Sequence, residues 1–478
     1  MKTTALEEFK KISAVPRRSY HNEKIVAYCL EHAKELGFET YYDEKNVNVL
    51  IRRPAASGKE DKPGIVLQGH LDMVEQTDAG VTHDWDNDGL ELVFDGDTLT
   101  ANGTTLGADN GVAAAIAFAL LQDETLENPP LEVLLTTNEE VGMDSVKDAD
   151  LSYLQGKYLF NLDGGGEGCF VTGCCGGQTL KVRIPEEKEK VSGSAYTLTV
   201  TGLNGGHSGI EIGTERANAL KVLGQLFFDL AKKHELYITD IRANGKDNAI
   251  CKEACADIII KDAGKTEDPE MLIKESEQKI RRVFRLTDPD LSVQLATNGP
   301  VEDLLSYSQD QSRKITVLLQ NLPFGVLHHD QSMDGNIETS CNLGLVEKEE
   351  KGNAIIISIR SSVAERIQEV ADQIVSLAEL CGGSAESDGK AYPAWLPDPD
   401  SPLIPLFSNK YHEMYGKEAI VGPVHAGLEC GYILANSNLE AAISAGPDIA
   451  DEHTTKESLS IGSLERTFEF IKAVIESV

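Results

Sequence analysis

Two histidines and five carboxylates stand at positions where their chemistry can be pooled. In Gly69-His70-Leu71-Asp72, residues i and i+2 of an extended strand share a side, so His70 and Asp72 can converge. A carboxylate beside a histidine orients the ring and raises its basicity as a metal ligand. A structural His–Asp hydrogen bond would use the same spacing. Asp109 lies in Gly107-Ala108-Asp109-Asn110-Gly111, directly before an alanine-rich helix. It reads as a helix cap or as a carboxylate reaching a metal, with the flanking glycines permitting close approach. Glu139-Glu140 closes an apolar strand, where adjacent like charges are unfavourable without a nearby cation. Side chains of neighbours in an extended segment diverge. One carboxylate can therefore bind a cation while the other works on water, unless the pair is a solvated turn. Asp163 ends the next strand, and His453 lies in a polar loop before the last helix. Together these residues form a mixed N/O ligand set. It suits two zinc ions, or a related divalent metal, sharing one bridging carboxylate, and metal-assisted hydrolysis is the chemistry it predicts.

The elements that must hold these groups alternate. Helical periodicity runs through residues 5–15 and 22–37, and residues 46–55 and 64–74 read as strands. A small-residue helix follows at 111–122, then strands at 131–142 and 157–166. That alternation predicts an α/β domain with its chemistry just beyond the strand ends. The charged run from Pro185 to Lys190 reads as a surface connection, and two successive α+β cycles after it suggest an internal duplication. Gly382 to Gly389 reads as a linker, after which the α/β pattern resumes and ends in an amphipathic helix. The prediction is a discontinuous catalytic domain, residues 1–183 and 389–478, with an inserted α+β domain at 184–388.

With 478 residues, 41% hydrophobic and 26% charged, the chain has an ordinary globular composition, which excludes disordered, collagen-like and coiled-coil classes. Its 44 basic and 78 acidic residues leave a formal charge of −34, which repels phosphate backbones and anionic membranes while tolerating bound cations. The nine cysteines are odd in number and scattered, so no disulfide framework is expected. Neither Cys174-Cys175 nor Cys251 and Cys255 has companions at zinc-ribbon spacing, and buried free thiols in a reducing cytosol are predicted. The first residues lack an apolar leader core, and no apolar run approaches a membrane span, which predicts a cytoplasmic protein. Neither a G-x-S-x-G elbow nor a phosphate-binding P-loop occurs.

The ordered segments 69–74, 107–111, 138–143, 161–165 and 451–453 resemble those of the di-zinc aminoacylase and carboxypeptidase superfamily. The resemblance spans essentially the whole chain. It implies an aminopeptidase-like catalytic domain carrying an inserted lid. The long lid and residues 422–431 look most like the cytosolic aminoacyl-histidine dipeptidases, also called Xaa-His dipeptidases or carnosinases. What the resemblance implies for this chain is specific. Asp109 would bridge two metals, His70 and Asp163 would complete one site, and Glu140 and His453 the other. Asp72 would orient His70, and Glu139 would be the general base. In the lid, His207 of Gly205-Gly206-His207-Ser208-Gly209 would stabilise the oxyanion. Asn248 would touch substrate, and Arg360 would grip the dipeptide carboxylate. His425 and Glu429 would line the pocket for the C-terminal side chain. The implied reaction is hydrolysis of small dipeptides, preferably Xaa-His, with two divalent ions per chain; the resemblance implies a homodimer through the lid, for which a long, duplicated lid can substitute. Those ions are zinc by preference, although manganese and cobalt accept the same ligands. A broader dipeptidase, aminoacylase or carboxypeptidase would share that core, and a metal protein without turnover is the competing class. His83, His328 and His329 match none of these segments and read as surface residues.

Overall fold

Ile65–His70 and Leu131–Thr136 are apolar runs, and every residue of both is buried. Strands with that pattern belong in a parallel sheet covered on both faces. A computed structural model, which describes residues 4–261, 267–331, 335–350, 352–389 and 391–478, pairs them in an eight-stranded sheet. The sheet order is Glu39–Asp43, Asn48–Arg53, Leu131–Thr136, Ile65–His70, Tyr158–Asn161, Ala441–Ser444, Cys169–Cys174, Ile420–Val424. Its four central strands run parallel, so their C-terminal ends open along one edge. Register sets His70 beside Thr136, Gln68 beside Asn161, and Asn161 beside Ser444. Helix Ala108–Gln122 buries thirteen of its fifteen residues. Small side chains make that approach possible: a Cβ on Gly69 would collide with Ala113 and Asn110. Helices Leu403–Tyr415 and Ile461–Ser477 contribute to an aromatic cluster of Phe160, Phe170, Phe407, Tyr411 and Phe470. Each such ring contributes about 1.5–3 kcal/mol through burial.

Contacts divide the chain into two units, Met1–Cys174 with Trp395–Val478, and Cys175–Ala394. The second unit holds two sheets over one shared core. One is four-stranded: Leu236–Arg242, Ala254–Ile260, Lys188–Thr201 and Ser292–Tyr307. The other is five-stranded: Gly325–His329, Ile337–Glu349, Gly352–Ser361, Gly176–Arg183 and Ser384–Ser387. Helices Ala219–Ala231, Pro269–Val283, Gln309–Asn321 and Ala364–Leu380 supply the α layer. The boundaries differ from the predicted 184 and 388. Gly176–Arg183 pairs along its whole length with Gly352–Ser361, which draws it into the second unit. The glycine-rich stretch read as a linker contains Ser384–Ser387, an edge strand on Gly176–Arg183. All nine cysteines are free thiols, seven of them buried, as predicted.

Candidate active site

The parallel strands deliver the site. His70 is the last residue of its strand, and its side chain is 1% exposed. Its Nδ1 lies 3.0 Å from the main-chain carbonyl of Asp72. A carbonyl only accepts, so Nδ1 carries a proton and Nε2 points onward. Nε2 stands 3.0 Å from Asp109 Oδ1, 3.7 Å from Asp163 Oδ1 and 4.0 Å from Glu139 Oε2. The other oxygen of Asp109 faces the second histidine, with His453 Nε2 at 3.1 Å from Oδ2. The same His453 nitrogen is 3.0 Å from Glu140 Oε2. Asp109 therefore lies between two histidines, one oxygen toward each. Among the described residues, His70, Asp109 and Glu140 form a group able to hold a metal ion, with ligand atoms within 4.8 Å of one another. Asp72 acts one step behind. Its carboxylate accepts from the Ser19 hydroxyl at 2.7 Å and from the backbone amides of Glu139 and Glu140 at 3.1 and 3.4 Å. It thereby links the His70 turn to the glutamate pair. His453 has φ 62°, a left-handed backbone that costs a histidine about 1 kcal/mol.

Charge is out of balance here. Burial pushes the carboxyl of Glu139 well above its usual range, and Glu140, Asp163 and Glu429 add to the shift. Asp163 is raised in the same way, by burial and then by Asp109 and other acids. Asp109 goes the opposite way: burial would raise it, but hydrogen bonds to His453 and His70 outweigh that and lower it. The hydrogen bond to Asp109, and then that to Glu140, lifts His453 to about 11. Glu140 Oε1 is buried without a hydrogen-bond partner. An excess of buried acid with an orphaned carboxylate oxygen fits a bound cation.

Several positioning groups escape notice in the sequence. Asn110 accepts from the His70 amide at 3.2 Å and donates to the Leu162 carbonyl at 2.9 Å, joining two strand ends. Beneath the site runs a buried polar row. Gln68 and Thr136 donate to one oxygen of Glu429 at 2.5 and 2.6 Å. Asn161 donates to Gln68 at 2.6 Å and accepts from Ser444 and from the Asp163 amide. A readable signal did exist, since Gln68 and Asn161 are polar residues inside otherwise apolar strands. Glu429 is 0% exposed, and burial raises its carboxyl to about 7. His425 is half-buried in the bend after Ile420–Val424.

A model of peptidase family M20/M25/M40 matches residues 66–477. The chain belongs to this family. It is 34% identical over 472 residues to the cytosol non-specific dipeptidase of Escherichia coli K12, covering 98% of this chain and 96% of that one. The aminoacylhistidine dipeptidase of Vibrio alginolyticus superposes with a TM-score of 0.87 at 31% identity, covering 99% and 96% of the two chains. A tripeptidase from Staphylococcus aureus, at TM-score 0.60 and 14% identity, shares the fold.

The remaining candidates of this peptidase belong to its second unit. His207 and Asn248 lie on neighbouring loops: the Ser208 amide donates to the Asn248 carbonyl at 2.9 Å, and His207 bridges to Ala249. His207 Nδ1 accepts from the amides of Gly209 and Ile210 at 3.2 and 3.1 Å. Two donors on Nδ1 place the ring proton on Nε2, which makes that nitrogen a hydrogen-bond donor. Asn248 is exposed. Arg360 is 9% exposed, donates to the Tyr392 hydroxyl at 2.7 Å, and keeps a buried Nε without a partner. Of the three unplaced histidines, His329 is exposed, while His328 and His83 are half-buried.

Proposed function

We propose that the chain is a metal-dependent dipeptidase that hydrolyses Xaa-His and related dipeptides, with two divalent ions, zinc by preference. The observation that carries this reading is Asp109, one oxygen toward His70 and the other toward His453, amid surplus acid. Asp163 and His70 would hold one ion, Glu140 and His453 the second, and Asp109 would be shared. Bound ions of this kind lower the pKa of a water and polarise the scissile carbonyl. Glu139 would accept the proton of the attacking water and pass it to the leaving amine. His207 donates from Nε2 to the developing oxyanion, and Arg360 binds the substrate carboxylate through its planar fork. Asn248 contacts substrate, and His425 and Glu429 belong to the side of the pocket that takes the C-terminal side chain. Both dipeptidase relatives support the reaction class. The Escherichia coli relative is cytosolic by name, and we place this chain in the same compartment, as a homodimer with no nucleic-acid or membrane partner. Free thiols and the charge of −34 agree with that placement. No helix among the described residues is long and apolar enough to cross a membrane.

The name of the Escherichia coli relative favours a second reading, a dipeptidase indifferent to the C-terminal residue. One panel separates the two. Zinc-loaded protein is offered beta-alanyl-histidine, glycyl-histidine, a non-histidine dipeptide, a tripeptide and an N-acyl amino acid, with and without chelator. Chelator-sensitive cleavage of the Xaa-His members, with the tripeptide spared, is the expected result. Equal cleavage of the non-histidine dipeptide selects the broader reading. Preference for the N-acyl substrate overturns the dipeptidase, and no cleavage with zinc, manganese or cobalt overturns the enzyme.

A further inference from the structure

Arg17 is among the largest fully buried side chains of the protein. Burying a guanidinium costs several kcal/mol unless its charge and donors are satisfied. Its hydrogen bonds go to backbone carbonyls: Leu71 at 3.0 Å, Asp72 at 3.5 Å, and Gly107. These carbonyls belong to the turn that follows His70 and to the turn that precedes Asp109. Glu457, 2% exposed, addresses the second turn from its amide side. One carboxylate oxygen accepts from the amides of Leu106 and Gly107 at 2.9 and 2.8 Å, and the other accepts from the amide of Asp109 at 3.2 Å. Gly107 is thus held at both ends, its carbonyl by Arg17 and its amide by Glu457. The glycines beside Asp109 make room for this. A Cβ on Gly111 would fall 2.7 Å from Arg17 Nη2, and one on Gly107 would meet the same nitrogen. Glu457 also stands four residues after His453, on the same loop, with its amide donating to the Thr454 carbonyl at 3.1 Å.

We propose that Arg17 and Glu457 are positioning residues that clamp the Asp109 turn through its backbone. Arg17 ties that turn to the His70 strand end, and Glu457 ties it to the His453 loop. The clamp thereby sets both histidine–Asp109 separations without contributing a ligand. This inference rests on the two-metal reading of the same site.

The test uses the full-length, metal-stripped chain and zinc alone as the probe, read by calorimetry, with unfolding temperature and steady-state kinetics alongside. Wild-type protein takes up two ions. Arg17→Met, Glu457→Gln and Gly111→Ala each bind at least one ion about 10–100-fold more weakly. Their kcat falls while KM stays within about twofold, as expected when geometry at the reacting centre is lost rather than substrate binding. Arg17→Lys, which keeps the charge and loses the fork, stays impaired. Lys472→Met breaks a part-buried ion pair with Asp123 elsewhere in the same unit; it lowers the unfolding temperature and spares zinc affinity. If Arg17→Met fails to fold, Glu457→Gln and Gly111→Ala decide on the same readout. Variants that lose only thermal stability, with zinc affinity and kcat intact, overturn the clamp alone. A wild-type protein that takes up no zinc overturns the two-metal reading and the clamp with it.

Discussion

Two places in the first unit combine histidine with carboxylate, and they solve opposite problems. Beneath the N-terminal helices, the single carboxylate of Glu8 meets His32 at 3.1 Å, Lys11 at 2.6 Å and Gln122 at 2.8 Å. Burial would raise its carboxyl, but these donors outweigh burial and bring it to about 2. At the strand ends, five carboxylates face two histidines, and burial raises Glu139 and Asp163 well above the carboxylate range. The first arrangement is complete within the protein. The second gathers more acid than its histidines can answer, which fits a bound cation.

The hardest way to break the contrast is at Glu139. Glu139→Ala should lower kcat by about 10²–10⁴-fold while bound metal, read by elemental analysis, stays at the wild-type level. Loss of metal together with turnover would make Glu139 a ligand instead of the base. His207→Ala should cost about 10²–10³-fold in kcat, the loss typical of one oxyanion donor. An unchanged kcat would remove His207 from the reaction. Asp72→Ala should weaken zinc binding about 10–100-fold by releasing the His70 turn from the glutamate pair. Retained affinity would show that the strand ends hold their geometry unaided. At the balanced pair, Glu8→Gln should leave kcat and metal content unchanged and lower stability only. A folded pKa of about 2 against 4.5 unfolded is worth about 3 kcal/mol. Because the folded value is depressed, that contribution is complete above the unfolded pKa and is lost as pH falls toward the folded one. Urea midpoints of the wild type and Glu8→Gln should therefore converge as pH drops from about 6 to about 3. Parallel curves would overturn this account of Glu8.

Much of the site could be read in the chain because its groups end strands. His70 ends a mostly apolar strand, Glu139 and Glu140 lie just past another, and Asp163 just past a third. Parallel strands covered on both faces are mostly hydrophobic and gather charged groups at their ends, so local pattern locates much of the site. Other features resisted local reading. Gly176–Arg183 is drawn into the second unit by Gly352–Ser361, a partner far along the chain. The glycines around Asp109 read as room for a metal, and the structure fills that room with Arg17.

The sequence by itself determined the α/β alternation, the free thiols, the acidic surface and the identity of the groups at the strand ends. These follow from side-chain chemistry and from patterns a few residues long. Only the tertiary structure decided which oxygen of Asp109 faces which histidine, where the units divide, and that Arg17 and Glu457 are buried around one turn. Arg17, beside Pro16 and Arg18, looks like a surface residue in the chain, and nothing local marks Glu457. Pairing of distant strands and the dehydration of a charge depend on what packs around them, and that exists only once the chain has folded.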